Sequence, residues 1–227
     1  MEDTVSTRLT SDNSSAQRAL EALNRAALAI AGELDVDKVL QLIVDSARDV
    51  VSADYAALAV GDWRIPGPGS VHRFVISGMS REEINNIAHW PHGHGLLGAV
   101  IHGQQPIRLK RIQDDPRSVG FPEGHPMMTT FLGVPVVGGG ETLGNLYLTD
   151  KQGGLEFTEA DERIIGMLAA HAAVAIQNAR LYSQVERLAI LEERTRIGMD
   201  LHDGVMQSIY AVGLTLESTR LALPDGT

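Results

Sequence analysis

Between Thr158 and Pro224 the chain carries no proline, and helix-compatible residues fill about 65 positions where an ordinary helix has ~11–12. Thr158 and Asp161 make a capping pair at the start, because a hydroxyl and a carboxylate three residues apart can satisfy free amide protons of a first turn. A lone helix of that length has nothing against which to bury an apolar stripe. Yet Leu181, Val185 and Leu188, then Ile197, Leu201, Val205, Ile209, Val212 and Leu216, keep one going at three- and four-residue steps. The pattern predicts a coiled coil or helical bundle between two copies of the chain, hence a homodimer.

The preceding sequence changes period repeatedly. Leu20, Leu23, Ala27, Ile30 and Leu34 recur at helical spacing, as do Val39, Leu42, Ile43, Ala47 and Val50, with Asp35 placed to cap the second helix. Short strands are predicted at Tyr55–Val60, His72–Ser77, Gln105–Leu109, Thr130–Val137 and Leu143–Thr149, and helical character at Ser80–Trp90. Gly138-Gly139-Gly140 supplies the positive φ of a tight reversal, so the last two strands form a hairpin. Simple alternation puts Leu143, Asn145 and Tyr147 on one face and Leu146 and Leu148 on the other. The fold class is α+β, a mostly antiparallel sheet with flanking helices and a long C-terminal helix. Gln113 to Met128 is the longest stretch without periodicity, and a loop of that length in a compact domain is usually functional.

Composition removes several chemistries. With 29 acidic against 19 basic residues the net charge is −10, which repels phosphate backbones and argues against nucleic acid as a partner. The absence of cysteine excludes disulfides, thiolate zinc sites, cysteine-ligated iron–sulfur clusters, thioether-linked chromophores and c-type haem. Met1–Gln17 is rich in Ser, Thr and Asp without an apolar stretch, so it reads as neither signal peptide nor anchor. The most apolar run, Met167–Ile176, is interrupted by His171 and falls short of the ~20 residues that span a bilayer. A cytoplasmic chain without a membrane segment is expected.

Two constellations carry chemistry. On the long helix, His202 sits beside an apolar stripe between Asp200 and Asp203, with Gln207 one turn beyond Asp203. A neighbouring carboxylate can orient an imidazole, fix its tautomer and take its proton, which suits attack by a ring nitrogen on a phosphoryl group. Gln207 is spaced to position a water for the reverse hydrolysis. In the long loop, His125 lies between Gly124 and Pro126, ahead of Met127, Met128 and Phe131. An imidazole in an apolar wall is a competent axial ligand for haem iron, and Tyr147 projects from a nearby strand with a hydroxyl to offer a ligand. His89, His92 and His94 form the other histidine cluster, but Pro91, Gly93 and Gly95 break it and no acid or cysteine accompanies it, so zinc is not assigned. His72, His102 and His171 have no evident partner.

The string Glu193-Arg194-Thr195-Arg196-Ile197, continued by Asp200-Leu201-His202-Asp203 and Gln207, closely resembles the dimerisation and phosphoacceptor helix of nitrate-sensor-like sensor histidine kinases. That resemblance implies His202 as phosphoacceptor, Asp203 as the neighbouring base and Gln207 as the phosphatase-type residue. It also implies a response regulator of the helix-turn-helix type as partner. ATP would enter only through the family's catalytic domain, and with no glycine-rich nucleotide-binding region before Thr227 the chain alone is expected to be inactive.

The strings Phe121-Pro122-Glu123-Gly124-His125-Pro126, Phe131-Leu132-Gly133-Val134-Pro135-Val136 and Gly144 to Lys151 resemble a GAF domain, and more narrowly the haem-binding GAF domain of mycobacterial gas-sensing histidine kinases. The resemblance implies haem b, with His125 as proximal iron ligand and Tyr147 as distal residue, sensing redox state or a diatomic gas (O2, NO or CO). Met127 and Thr129 stand where that family carries proline and arginine. The domain organisation expected is residues 1–18 disordered, 19–182 a GAF sensor domain, and 183–227 a coiled-coil linker with the first helix of a truncated dimerisation domain. Two alternatives stay open: a GAF pocket for a non-haem small molecule or anion, and a GAF domain serving only as a dimerisation module.

Overall fold

The computed structural model describes residues 21–61, 71–88 and 95–222. The chain divides into two compact units, Met1–Arg180 and Leu181–Thr227. The histidine cluster at residues 89, 92 and 94 lies outside the described residues, as does the expected disordered N-terminus.

In the first unit, helix α1 covers residues 21–31 and buries Leu23, Ala26 and Ile30, while Leu34 falls beyond its end and is exposed. Helix α2 (Val36–Val50) starts where Asp35 accepts from the N–H groups of Asp37 and Lys38 at 2.9 and 3.1 Å, a cap worth about 1 kcal/mol. Strands β1 (Ala53–Gly61) and β2 (Val71–Ser77) pair antiparallel. Helix α3 (Arg81–Asn86) opens with a Ser80–Glu83 capping box. It ends earlier than its periodicity suggests, because Ile87 turns extended and the Ala88 N–H donates to the Glu123 carbonyl at 3.0 Å, a tertiary bond in place of a helical one.

Helix α4 (Gly95–Gly103) leads to β3 (Ile107–Leu109), and after the long loop the hairpin β4 (Phe131–Gly138) and β5 (Glu141–Lys151) completes a sheet of order β2-β1-β5-β4-β3. All neighbours are antiparallel. The central strand β5 is buried without a break from Leu143 to Thr149, since both of its faces are covered. Alternation divides the core. Leu58, Val60, Leu132, Val134, Leu146 and Leu148 pack with α1, α2 and α5, whereas Ala59, Phe131 and Tyr147 pack with Leu96, Val100 and Ile112 on the opposite face.

One strand assignment is corrected. Val136 pairs with Gly144 and Val137 with Thr142, so Leu143 is an extra residue at a register shift. A bulge of this kind resets alternation, and Leu143 joins the core of Leu146 and Leu148 rather than the face of Tyr147.

Helix α5 (Glu159–Ala222) begins at the capping pair read from the sequence: Asp161 Oδ2 accepts from the Thr158 N–H at 2.7 Å, and Thr158 Oγ1 accepts from the Asp161 N–H at 3.2 Å. Ile165, Leu168, Ala172, Ile176 and Ala179 form its buried face within the first unit. Between Glu159 and Ser218 this helix contains an 18-residue window of mean hydropathy 1.3, long and apolar enough by length and composition to cross a bilayer, although the Met167–Ile176 run alone is too short. Of that window 44% is buried inside the protein. In the second unit, the helical residues from Leu181 expose Leu188, Leu201, Val205, Ile209 and Leu216.

Candidate functional site

On the sheet face opposite the buried turns of α5 lies a cavity of about 450 Å³. Its floor is Ala57 and Tyr55 of β1 with Tyr147 and Thr149 of β5, and Leu96 and Leu97 of α4 contribute a wall. The long loop supplies the other side through Val119, Phe121, Pro122 and His125. The volume lies within the roughly 300–1,000 Å³ of small-molecule sites, and the lining is mostly apolar with a few polar groups, as such sites require. The structure therefore brings His125 and Tyr147 together, although 22 residues separate them in sequence.

His125 is held locally. Its N–H donates to the Pro122 carbonyl at 3.2 Å, its ring stacks on Phe121 with centroids 5.0 Å apart, and its Nδ1 lies 2.7 Å from the Pro126 carbonyl oxygen. A carbonyl only accepts, so Nδ1 is the protonated nitrogen, and in the neutral ring Nε2 keeps its lone pair. Gly124 sets the approach of this loop: its φ is +80°, and a Cβ there would lie 2.0 Å from the Asn86 carbonyl oxygen.

Tyr147 is buried, and burial pushes its hydroxyl pKa far above the usual tyrosine value. The hydroxyl donates weakly to the Leu97 carbonyl at 3.4 Å, and the ring stacks on Phe131 at 6.2 Å. Tyr55 is a second tyrosine on this face, opposite Thr149; its pKa is raised by burial first and by the charges of Glu83, Asp54 and Asp150 after it. Thr149 donates to the Met128 sulfur at 3.0 Å. Asn145, two residues before Tyr147, is fully buried and neither atom of its amide has a partner among the described residues. At the loop's beginning Asp115 pairs with Arg117 at 2.7 Å, and that guanidinium holds the carboxyl down to about 2.

These donors fit a b-type haem. The cavity is mostly apolar, His125 is the one histidine lining it among the described residues, and in its neutral ring the Nδ1–H bond to a backbone carbonyl leaves the Nε2 lone pair for a metal, the usual arrangement of a metal-ligating imidazole. Sequence reasoning passed over Tyr55 and the stacking role of Phe121. The latter was available in the spacing of Phe121 to His125, whereas Tyr55 reads as one more residue of an apolar strand. No group of three or more metal-ligating side chains occurs among the described residues.

In the second unit His202 is exposed, with Nδ1 3.4 Å from Asp203 Oδ1. Gln207 is exposed on the same helix. Thr195 donates to the Leu191 carbonyl and Arg196 pairs with Glu193 at 2.7 Å, so polar groups of this segment are satisfied along the helix itself.

Residues 33–177 match the GAF domain family, well over half of the chain. The chain belongs to the GAF domain family. Following this GAF domain, residues 193–227 match a histidine kinase family. A 69-residue stretch, 30% of this chain, is 32% identical to the sensor histidine kinase YhcY of Bacillus subtilis (strain 168), and the match spans 18% of that relative's length. Among solved structures, the GAF domain from a phosphoenolpyruvate-protein phosphotransferase of Coxiella burnetii superposes with a TM-score of 0.63 at 24% identity, covering 74% of this chain and 98% of that one. Free methionine-R-sulfoxide reductase from Neisseria meningitidis, solved with its substrate, gives 0.60 at 16% identity, over 74% and 93%. At these identities the likeness is one of fold.

Proposed function

We propose that this chain is the sensory part of a two-component sensor histidine kinase whose GAF cavity binds b-type haem through His125 to sense redox state or a diatomic gas. The observation that carries the reading is His125 itself: a histidine with Nδ1–H tied to the Pro126 carbonyl and Nε2 without a partner among the described residues, in the wall of a mostly apolar cavity floored by Tyr147. When bound, haem supplies an iron that changes oxidation state and takes O2, NO or CO as ligand. The chain's own residues do the rest. Phe121 and Pro126 fix the imidazole plane, the walls offer mostly apolar contact, and the Tyr147 hydroxyl on the cavity floor would donate to a bound ligand by giving up its long bond to the Leu97 carbonyl.

His202 is then the phosphoacceptor. One of its ring nitrogens attacks the γ-phosphoryl group of ATP held by the kinase's nucleotide-binding domain, a P–N bond forms, the P–O bond to ADP breaks, and Asp203 takes the ring proton. Gln207 orients water for the reverse hydrolysis. The exposed apolar stripe of the second unit supports a homodimer, and the phosphoryl group passes to a response regulator of the helix-turn-helix type. A second reading, a cavity for a small apolar organic molecule, draws on the engagement of the Tyr147 hydroxyl by Leu97.

The test is His125→Ala. Wild-type protein reconstituted with haem should retain it through gel filtration, and the variant should lose it while keeping the wild-type circular dichroism. A variant that retains haem with the wild-type spectrum refutes the ligand assignment.

A further inference from the structure

Two adjacent residues at the end of β5 face different parts of the domain. Asp150 Oδ1 accepts from the N–H groups of Thr129 and Thr130 at 2.7 and 3.2 Å, and its own N–H donates to the Thr130 carbonyl at 3.2 Å. Those two threonines end the segment that begins at His125 and includes Met128, a cavity residue. Asp150 makes these bonds at φ +55°, in the left-handed region that few non-glycine residues occupy, so its conformation is held by its contacts.

Lys151 looks toward the helix. Its N–H donates to Thr130 Oγ1 at 3.2 Å, and its Nζ pairs with Asp161 Oδ2 at 2.5 Å, with only 16% and 11% of the two side chains exposed. The same Asp161 oxygen accepts from the N–H and the hydroxyl of Thr158, at 2.7 and 2.8 Å. A continuous run of polar contacts thus leads from the His125–Thr130 segment through Asp150 and Lys151 to the first turn of α5. Arg108 holds the same turn from β3, bonding Glu162 at 3.0 Å and the Phe157 carbonyl at 3.4 Å.

We propose that Asp150 and Lys151 are positioning residues that set the His125–Thr130 segment and transmit its displacement to the N-cap of α5. The proposal rests on reading that segment as the ligand-binding side of the cavity. Its physical content is that one short backbone unit satisfies both ends: shifting Thr129 and Thr130 pulls on the Asp150 carboxylate and the Lys151 N–H, and a displaced Lys151 perturbs its Nζ contact with the Asp161 oxygen that caps Thr158. Coupling carried by shared contacts shows itself as non-additivity between the two ends.

Amide hydrogen exchange on the full chain tests this without any ligand. Asp161→Asn removes the charge at the helix cap and touches neither Thr129 nor Thr130. Their exchange, taken relative to the core amide of Leu146, should nevertheless accelerate at least about 5-fold, the lower end of ordinary coupling between sites. In an Asp150→Asn background the same substitution should add nothing further at those amides, a result that simple loss of structure does not produce. Lys151→Met breaks the same ion pair from the other side and must reproduce the acceleration, which keeps the test intact should Asp161→Asn fold poorly. Unchanged Thr129 and Thr130 exchange, or additive effects in the double variant, overturns the proposal. With haem added, exchange of the Glu162 amide should change in wild type and not in Asp150→Asn. Haem that binds and leaves Glu162 unchanged also overturns it, while haem that fails to bind refutes the haem reading and leaves the ligand-free result to decide the coupling.

Discussion

Gly124→Ala should destabilise the domain far more than Gly120→Ala, although the two glycines have nearly the same φ, +80° and +79°. An L-residue in this region costs about 1–2 kcal/mol, and both variants incur that. Around Gly120 no atom of the described residues lies within 4 Å of an added Cβ. At Gly124 the methyl would sit 2.0 Å from the Asn86 carbonyl oxygen and 2.7 Å from its carbon, backbone atoms that cannot swing aside. Relief requires the loop to part from residues 86–88, which loses the Ala88–Glu123 hydrogen bond, about 0.5–1.5 kcal/mol, and the packing that goes with it. The expected losses are about 1 kcal/mol for Gly120→Ala and about 3 kcal/mol for Gly124→Ala. For a domain of this size those correspond to falls in Tm of roughly 2–4 °C and 6–12 °C. Thermal unfolding followed by circular dichroism reads both. Equal falls in Tm would refute the argument that close backbone contact at Gly124 seats the His125 loop.

Tyr147→Phe should leave haem bound and lower O2 affinity several-fold, since a lost hydrogen bond is typically about 0.5–1.5 kcal/mol, with a smaller effect on CO as the poorer acceptor; equal responses in gas titrations would count against the Tyr147 donor. Asp115 has its folded pKa depressed from 3.8 to about 2 by Arg117, so its contribution to stability is present above the higher value and lost as pH falls toward the lower. Urea midpoints of Asp115→Asn should accordingly approach those of wild type across that acid window, and a constant difference down to the lower value would contradict the pairing. Asn145→Val removes a buried amide without partners among the described residues and should raise stability by about 1 kcal/mol in urea denaturation, whereas a loss of that size would show that the amide is satisfied.

Local chemistry was legible in the sequence wherever a few neighbouring residues decide the outcome. Asp35, Thr158 and Asp161 cap the helices they were expected to cap, because a cap depends on side chain and first turn alone. The hairpin and the faces of Leu146, Leu148 and Tyr147 follow from period-two alternation. What escaped was set by partners distant in the chain. The face of Leu143 is decided by the register of β4 against β5, and the early end of α3 by Glu123, 35 residues from Ala88. His125 and Tyr147 were legible as a pair through the strings around them. The roles of Asp150 and Lys151 were not, since nothing in a Thr-Asp-Lys strand end discloses Thr129 on one side and Asp161 on the other.

The central claim, that the GAF cavity is a haem site, is tested most directly by titrating the purified chain with ferric haem and following its absorption spectrum before and after dithionite and CO. The account predicts saturation at one haem per chain, an intense Soret band, and a shift of that band on reduction and again on CO addition. A titration that stays linear like haem in buffer, with no saturating band at any ratio, would contradict it.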